Sequence, residues 1–583
     1  MIKFKVYSKS DAILFNKKIN QKQIKVNIYI NIFWLNKNIM SIFFKTTNTS
    51  TKVFLSSFKN QQSYRFIGTN KTYEDALNCL NSLQTNYKII EEFKNNINNV
   101  RKTDQALDEM KEYMRRLGYS NSLNELDKLN CIHITGTKGK GSTAAFTHSI
   151  LKSYNKINSK KEQTLKLGLY TSPHLKTCRE RIRINGEPIS KELFTKYFFQ
   201  VWDTLNNTES DPVKYPDLID HKKPGYFKFM TLLSFHTFVQ ENCNTCIFEV
   251  GIGGKYDSTN IIPNPTSTGL SLLGIDHVNV LGHTLEEICG NKVGIYKKTA
   301  NNFTILDQPE KQKMFEIMND RLAKIGCTSK LNIIPRFEEL NDVELGISGD
   351  FQVVNASLAT ALSINHLQKI GRDNYIISNS NLTETENGLL WDSKMEIPDF
   401  VKQGLQDCKW EGRCQTIKTD TITWFLDGAH TIDSIEKSSD WFVQEQIKGN
   451  KNNKKRVLLF NQQSRAENLK SFLTYIYKSL KNKDLYFDEI IFSTNKTWAD
   501  GYNADLISMN VNKEQVDSMD VQKKLKNIWL TENDPKANIT IFDSIEASHN
   551  YIKNKYTKAD VFVTGSLHLV GGLLVVLDGK DKL

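Results

Sequence analysis

The chain has 583 residues, with 77 Lys and Arg against 65 Asp and Glu and a formal net charge of +12. That length exceeds one compact core and predicts two domains plus extensions. Residues 1–73 hold twelve lysines, Arg65 and Asp11, which account for the whole excess, and the remaining 64 basic and 64 acidic side chains cancel. Composition therefore gives no support to a nucleic-acid-binding stripe on the folded body.

The N-terminal extension, residues 1–70, is rich in Lys, Asn, Ile, Phe and Ser and almost free of acids. Two readings stay open: an import sequence for mitochondria, which take basic, acid-poor amphipathic segments, or a solvated tail with biased composition. Met40 begins a tidier version of the same pattern and offers an alternative start. Asparagines and lysines interrupt Ile24 to Phe44, which is therefore not read as a membrane span. Nine cysteines are scattered along the chain. Cys243-Asn244-Thr245-Cys246 has no second pair at zinc-ribbon spacing, which favours incidental thiols in a reducing compartment over a metal or redox site.

Residues 71–130 read as helices, opened by Thr72-Tyr73-Glu74-Asp75 and carrying Ala76, Leu77, Leu80 and Leu83 at helical spacing. Strand patterns follow at 131–135, 165–170, 245–250 and 268–275, with helical stretches between them. This alternation predicts a doubly wound, mostly parallel α/β sheet. Residues 371–400 are polar and turn-rich, as in a variable insertion. A second α/β series has strands at 421–426, 456–460, 488–494, 538–543 and 560–564, and Asn450 to Lys455 reads as a surface loop. The expected organisation is an N-terminal domain over 71–410 and a smaller C-terminal domain over 411–583.

The first strand runs straight into Gly136-Thr137-Lys138-Gly139-Lys140-Gly141-Ser142-Thr143, after which a helical pattern begins. Glycines let backbone N–H groups close around a polyphosphate, a lysine adds a point charge, and a helix start adds its dipole. The spacing departs from G-x-x-x-x-G-K-[ST]: Ile134 takes the first glycine's place and Gly141 separates Lys140 from Ser142. The competing reading is an ordinary glycine-rich turn. Polar residues also fall where three other strands end: Ser172 and His174 after Tyr170, Glu249 before Gly251, and Asp276-His277 after Ile275. A carboxylate at a strand end beside a phosphate cradle suits Mg²⁺. Each residue alone has a structural alternative, as a turn serine, a paired carboxylate or a loop histidine.

The blocks YTSPHL, RERIRINGEPIS, PGYFKFMTLLSF, FEVGIGGKYDSTNII, GIDHVNVLGHTLEEI, NKVGIYK, LDGAH and VTGSLHLVGG resemble, in order, those of the folylpolyglutamate synthases of the Mur ligase superfamily, over about residues 71–575. The resemblance implies a P-loop ATPase domain joined to a Rossmann-like C-terminal domain. It implies an ATP-dependent ligase that adds L-glutamate to the γ-carboxylate of reduced folates and so retains them for one-carbon metabolism. The implied ligands are ATP, Mg²⁺ (one ion or two), and K⁺ or another monovalent cation. It further implies a monomer, mitochondrial and cytoplasmic, with peripheral contact to a mitochondrial membrane.

By the family pattern, Gly139, Lys140, Gly141 and Ser142 hold the ATP phosphates, and Ser172, Glu249 and His277 are Mg²⁺ ligands. Lys292 falls where many Mur-type enzymes carry a carbamylated lysine, the alternative being an exposed helical lysine. Arg413 would clamp ATP from the linker, Asp427 would bind nucleotide from the C-terminal domain, and His430 would contact phosphate or the acyl intermediate. Gln352 and Asn355 fit the adenine-side block. The chain departs from the pattern at Phe351, Val353 and Glu411, and the Phe460–Arg465 run lacks the usual Gly-Asp. Two rivals remain: a dihydrofolate synthase acting on dihydropteroate, and a P-loop protein that binds nucleotide without ligation.

Overall fold

Ile132–Thr135 (β1) is buried at all four positions, as are Leu167–Tyr170 (β2), Thr245–Glu249 (β5) and Ser267–Leu270 (β6). Strands covered on both faces belong at the centre of a parallel sheet, where the backbone groups must all be spent on neighbours. The computed structural model describes residues 71–84, 105–157, 164–219, 221–372, 381–449, 454–463, 468–506 and 516–579. The expected import extension with Ile24 to Phe44 and Met40, residues 373–380 of the insertion, and 450–453 of the Lys/Asn loop lie outside them.

The remaining strands of the first sheet are Ile182–Ile184 (β3), Glu187–Pro188 (β4), Asn301–Ile305 (β7), Asn332–Ile334 (β8), Leu382–Thr385 (β9) and Gly388–Trp391 (β10). Their order is β4-β3-β2-β5-β1-β6-β7-β8-β10-β9. The strands from β2 through β10 run parallel, and β3, β4 and β9 are antiparallel additions at the two edges. The chain leaves β1 toward β2 on one side and β6 lies on the other, so the strand order reverses at the carboxyl end of β1, where α/β sheets open a crevice for ligands. A second sheet holds Gln415–Lys418 (β11), Ile422–Leu426 (β12), Lys455–Phe460 (β13), Glu489–Ser493 (β14), Ile539–Phe542 (β15) and Ala559–Thr564 (β16) in the order β11-β12-β16-β13-β14-β15, parallel except for β11.

Alternate residues of each central strand serve opposite faces. Phe248 points to the helix Tyr226–Gln240, where Phe235 stacks on it at 4.6 Å and Phe238 meets it edge-on at 5.7 Å. Ile132, Ile134 and Ile247 point the other way, toward the helices Lys140–Ile157 and Gln352–Lys369. Cys243 and Cys246 are buried on the Phe248 side and pack as small apolar groups.

Three expectations need correction. The strand expected over 268–275 stops at Leu270. Beyond it Leu272 accepts the N–H groups of Thr137 and Lys138 (2.9 and 3.0 Å), while Gly274 exchanges hydrogen bonds with the Thr137 hydroxyl (3.0 and 3.1 Å). Those residues brace the glycine-rich loop instead of extending the ladder. The polar 371–400 stretch contains the β9–β10 hairpin, which lengthens the sheet, and a helix begins at Asp399. The strands β3, β4, β7, β8 and β11 have no counterpart in the sequence reading.

Replacing Phe248 by Ala removes the ring that joins β5 to its covering helix and should lower unfolding stability by roughly 3–5 kcal/mol. Urea titration followed by tryptophan fluorescence measures it; a loss below about 1 kcal/mol, the cost of an ordinary surface change, contradicts this packing role.

Candidate active site

The turn between β1 and the helix Lys140–Ile157 is a tight loop. Gly139 has φ +84°, and a Cβ there would stand 2.1 Å from Asn355 Oδ1, so only glycine fits. Asn355 in turn donates to Gln352 Oε1 at 2.8 Å. Asn355, at the first turn of Gln352–Lys369, is thereby seated directly against the loop, with Gln352 behind it. The helix start leaves the N–H groups of Lys140, Gly141 and Ser142 without intrahelical acceptors, and they aim, with the positive dipole end, at the space above β1.

Two lysines converge on this loop. Lys140 Nζ and Lys292 Nζ both donate to the carbonyl of Gly136, at 3.1 and 2.8 Å. Lys292 is 3 % exposed, which replaces the surface-lysine alternative with a buried amine. Burial pushes its ammonium down to about 7, the Lys140 charge pushes the same way, and Asp276 and Asp257 oppose both. Burial also lowers Lys140, against the pull of Glu249 and Asp276. A polyphosphate is the charge that such a cluster lacks.

Glu249, the last residue of β5, lies beside the loop. Its Oε1 would be 3.5 Å from a Cβ on Gly141, and its Oε2 accepts the Ser172 N–H at 2.9 Å. Burial raises its carboxyl, opposed first by Lys140. A buried carboxylate with a serine, and so a hydroxyl oxygen, beside it offers oxygen donors of the kind Mg²⁺ accepts, so the residues present fit that ion. The structure joins Ser172 to Glu249. His277 is exposed and precedes the short helix Val278–Leu281 with φ +52°. Among the described residues no three His, Cys, Asp or Glu side chains cluster closely enough to share a cation.

The second sheet contributes from the opposite side. Asp427 follows β12 and accepts the N–H groups of Cys414 (2.8 Å) and Ala429 (2.9 Å). Burial raises its carboxyl and the Arg413 guanidinium opposes that rise. Arg413 acts on Glu249 in the same sense, so one guanidinium serves carboxylates from both sheets. His430 Nδ1 lies 2.9 Å from the Gly428 carbonyl, and the His430 N–H donates to Ser434 Oγ at the start of the helix Ile432–Lys448. The run without Gly-Asp is anchored through side-chain amides: Gln462 donates to the Gly565 carbonyl and Asn461 to Asn495, both at 2.8 Å.

Sequence reasoning missed Lys138. Its Nζ donates to Thr431 Oγ1 at 2.7 Å and lies 3.5 Å from Asp276 Oδ2, tying the loop to the second lobe. It missed Thr143, whose buried hydroxyl has no hydrogen-bond partner, and Asp257, which accepts from Gly251, Ile252 and Thr259 and shapes the turn after Glu249. The lysine-rich spelling of the loop was the available signal for Lys138; Thr143 and Asp257 declare themselves only through burial.

Known proteins resemble this chain in sequence and in fold. Residues 410–576 match the family model for the dihydrofolate synthetase C-terminal domain. The folylpolyglutamate synthase of Saccharomyces cerevisiae (strain ATCC 204508 / S288c) is 48% identical over 519 residues, 89% of this chain and 88% of that one. Among solved structures, Mycobacterium tuberculosis folylpolyglutamate synthase complexed with ADP superposes with a TM-score of 0.59 at 18% identity, covering 87% of this chain and 99% of that one. The apo form of L. casei FPGS gives 0.58 at 20% identity, covering 87% and 100%. Both structural likenesses concern the two-sheet fold.

The Lys292 amine loses its proton near pH 7 in the folded chain and near its ordinary 10.5 in the unfolded one. Between those values the unfolded state binds more protons, so stability gained from this group rises with pH across that window and is flat below it. The unfolding free energy of the unmodified, ligand-free protein minus that of Lys292→Met should therefore increase between about pH 7 and pH 10. Denaturant titrations at several pH values test this; a difference that does not vary with pH contradicts the buried-amine environment.

Proposed function

The chain belongs to the folylpolyglutamate synthase family, and we propose that it is the ATP-dependent ligase that joins L-glutamate to the terminal γ-carboxylate of a reduced folate or its polyglutamate. The observation that carries this reading is the convergence of Lys140, Lys292 and a helix start on one loop, with Glu249 and Arg413 facing it.

A carboxylate does not react with an amine in water because oxide is a poor leaving group. The γ-carboxylate oxygen of the folate attacks the γ-phosphorus of ATP, ADP departs, and an acyl phosphate results. The glutamate amine then attacks the acyl carbon and loses a proton, and phosphate leaves. Lys140 and Arg413 offset charge gathering on the transferred group, and the loop N–H groups orient it. Glu249 and Ser172, with His277 brought in by its loop, would hold Mg²⁺, which supplies Lewis-acid stabilisation of the phosphoryl oxygens. Asn355, backed by Gln352, would fix the loop on the nucleotide's adenine side, Asp427 orients the linker that carries Arg413, and His430 would contact phosphate or the acyl intermediate. A neutral Lys292 amine is also the form that adds carbon dioxide with loss of a proton, which would turn it into an anionic carbamate. Two compartments, mitochondrial and cytoplasmic, are supported by the basic extension and by Met40 as a second start.

Incubation with tetrahydrofolate, glutamate, ATP and Mg²⁺, read by mass spectrometry, should give a ladder of products rising by glutamyl units. Lys140→Ala should lower turnover at least a hundredfold, the scale of one lost transition-state contact, with unfolding behaviour retained. Dihydropteroate offered in parallel should give no product; its conversion instead of tetrahydrofolate favours the dihydrofolate synthase reading that the matched C-terminal family description raises. Undiminished turnover by Lys140→Ala sinks the proposal.

A further inference from the structure

A cavity of about 1160 Å³ opens beside the phosphate loop and is distinct from it. It follows the outer flank of the helix Lys140–Ile157 from Ala145 to Lys156 and is closed by the 176–188 segment and the 406–416 linker. Eleven helical steps make it roughly 16 Å long. Its inner end meets the reaction centre. Arg413 lines it, and Trp410, also lining it, has its indole nitrogen 3.6 Å from where a Cβ of Gly141 would lie.

The lining is polar and its cations outlast their partners. Of its five carboxylates, Glu180 is spent on the backbone N–H groups of Leu175, Lys176 and Thr177, Asp407 pairs with Lys156, and Glu411 and Asp578 both pair with Lys176. Glu187 lies exposed at the rim hairpin. Among the described residues no ion pair occupies Lys152 or Lys409, and Arg183 reaches only a 3.9 Å contact with Glu180 while its guanidinium covers the Trp410 ring at 5.3 Å.

A second observation points the same way. His148 is 7 % exposed, lines the cavity, and its Nε2 has no hydrogen-bond partner. Arg179 and Arg183, also in the lining, each carry a buried Nε without a partner. Burial and the nearby Lys152 and Arg183 charges push His148 down to about 3, so it is a neutral hydrogen-bonding group at ordinary pH. Unspent donors beside unspent cations, in a channel of this length, suit an extended ligand bearing carboxylates at intervals.

We propose that this channel binds the γ-linked oligoglutamate tail of the folate substrate, with Lys152 and Lys409 pairing with its α-carboxylates; the assignment rests on the ligase reading above. Each γ-linked unit spans about 6 Å by ordinary bond lengths, so the channel length corresponds to two to three units behind the reacting one. The tail would then be measured against the helix Lys140–Ile157, and affinity would depend on tail length rather than on the pterin.

The test uses γ-linked pentaglutamate lacking a pterin, titrated calorimetrically into the full chain and into Lys152→Gln/Lys409→Gln. Both lysines are exposed, so folding is not at stake. The wild type should bind with salt-weakened affinity, and the double variant should bind about tenfold more weakly, the scale of two lost charge contacts. In turnover, KM for pentaglutamyl tetrahydrofolate should rise in the variant while the monoglutamyl substrate is unaffected. No binding by the wild type, equal binding by the variant, or equal affinity for α-linked pentaglutamate overturns the proposal. Binding that follows these expectations in a protein that adds no glutamate to any folate overturns the ligase reading and supports the channel as a γ-glutamyl site.

Discussion

Two ammonium groups share one backbone carbonyl, that of Gly136, inside a site that excludes most of the water. Like charges held this close in a low-dielectric setting repel, and neither lysine is fully satisfied by a single neutral acceptor. The protein relieves the conflict by pushing Lys292 toward its neutral form and by placing Glu249, Asp257 and Asp276 within electrostatic reach. Those carboxylates are themselves desolvated: burial raises Glu249 and Asp257. Each buried charge is therefore tolerable only because of the others. The proposed triphosphate and divalent ion would complete the balance, supplying negative charge above the loop and positive charge at Glu249.

That balance requires the loop to hold its shape, and the shape is fixed from three sides. The residues after β6 clamp it through Leu272 and Gly274. Asn355 fills the space that Gly139 leaves open. Lys138 reaches across to Thr431, so the second lobe touches the loop directly. Further out, Asp505 accepts from Tyr73, Thr177 and the Cys178 N–H, binding the second lobe to the segment that follows Ser172. The lobes are coupled at both ends of the cleft, and a change in their relative position would move Arg413 with respect to Glu249. In the proposed reaction, assembly of the phosphoryl clamp and exclusion of water would be a single event, which would protect an acyl phosphate from hydrolysis.

Much of this was legible in the chain because it is local. β1, its loop and the helix after it follow from period and glycine placement, and the central strands of both sheets are apolar runs of the right length. What escaped is non-local or short. β3, β4 and β8 have two or three residues, too few for any periodic signal, and are strands only because neighbouring strands are there to pair with. The run 268–275 looks like one strand since Leu270, Leu272 and Leu273 are apolar; its second half is diverted by hydrogen bonds to Thr137 and Lys138, partners more than 130 residues away. The same distance hid Lys138, whose pairing with Thr431 and Asp276 no local pattern encodes. Lys292 was legible as a position, but its burial, on which its chemistry depends, came from the fold.

The departures from the family pattern have a physical order. Val353 is buried in the core and Phe351 lies at the surface. Glu411 is different. It accepts from Lys176 at 2.9 Å, and Asp578 accepts from the same ammonium at 3.0 Å, so a residue of the linker neutralises a cation of the channel and ties it to the C-terminal helix Leu567–Asp578. The effect is to take Lys176 out of competition for an anionic ligand and leave Lys152 and Lys409 as the charges that face the open space. Glu411 therefore bears on the charge of the channel through Lys176. The phosphate loop opens the helix Lys140–Ile157 and the channel continues along the same helix, so Trp410 meets Gly141 at the inner end while Lys152 and Lys156 line the outer one.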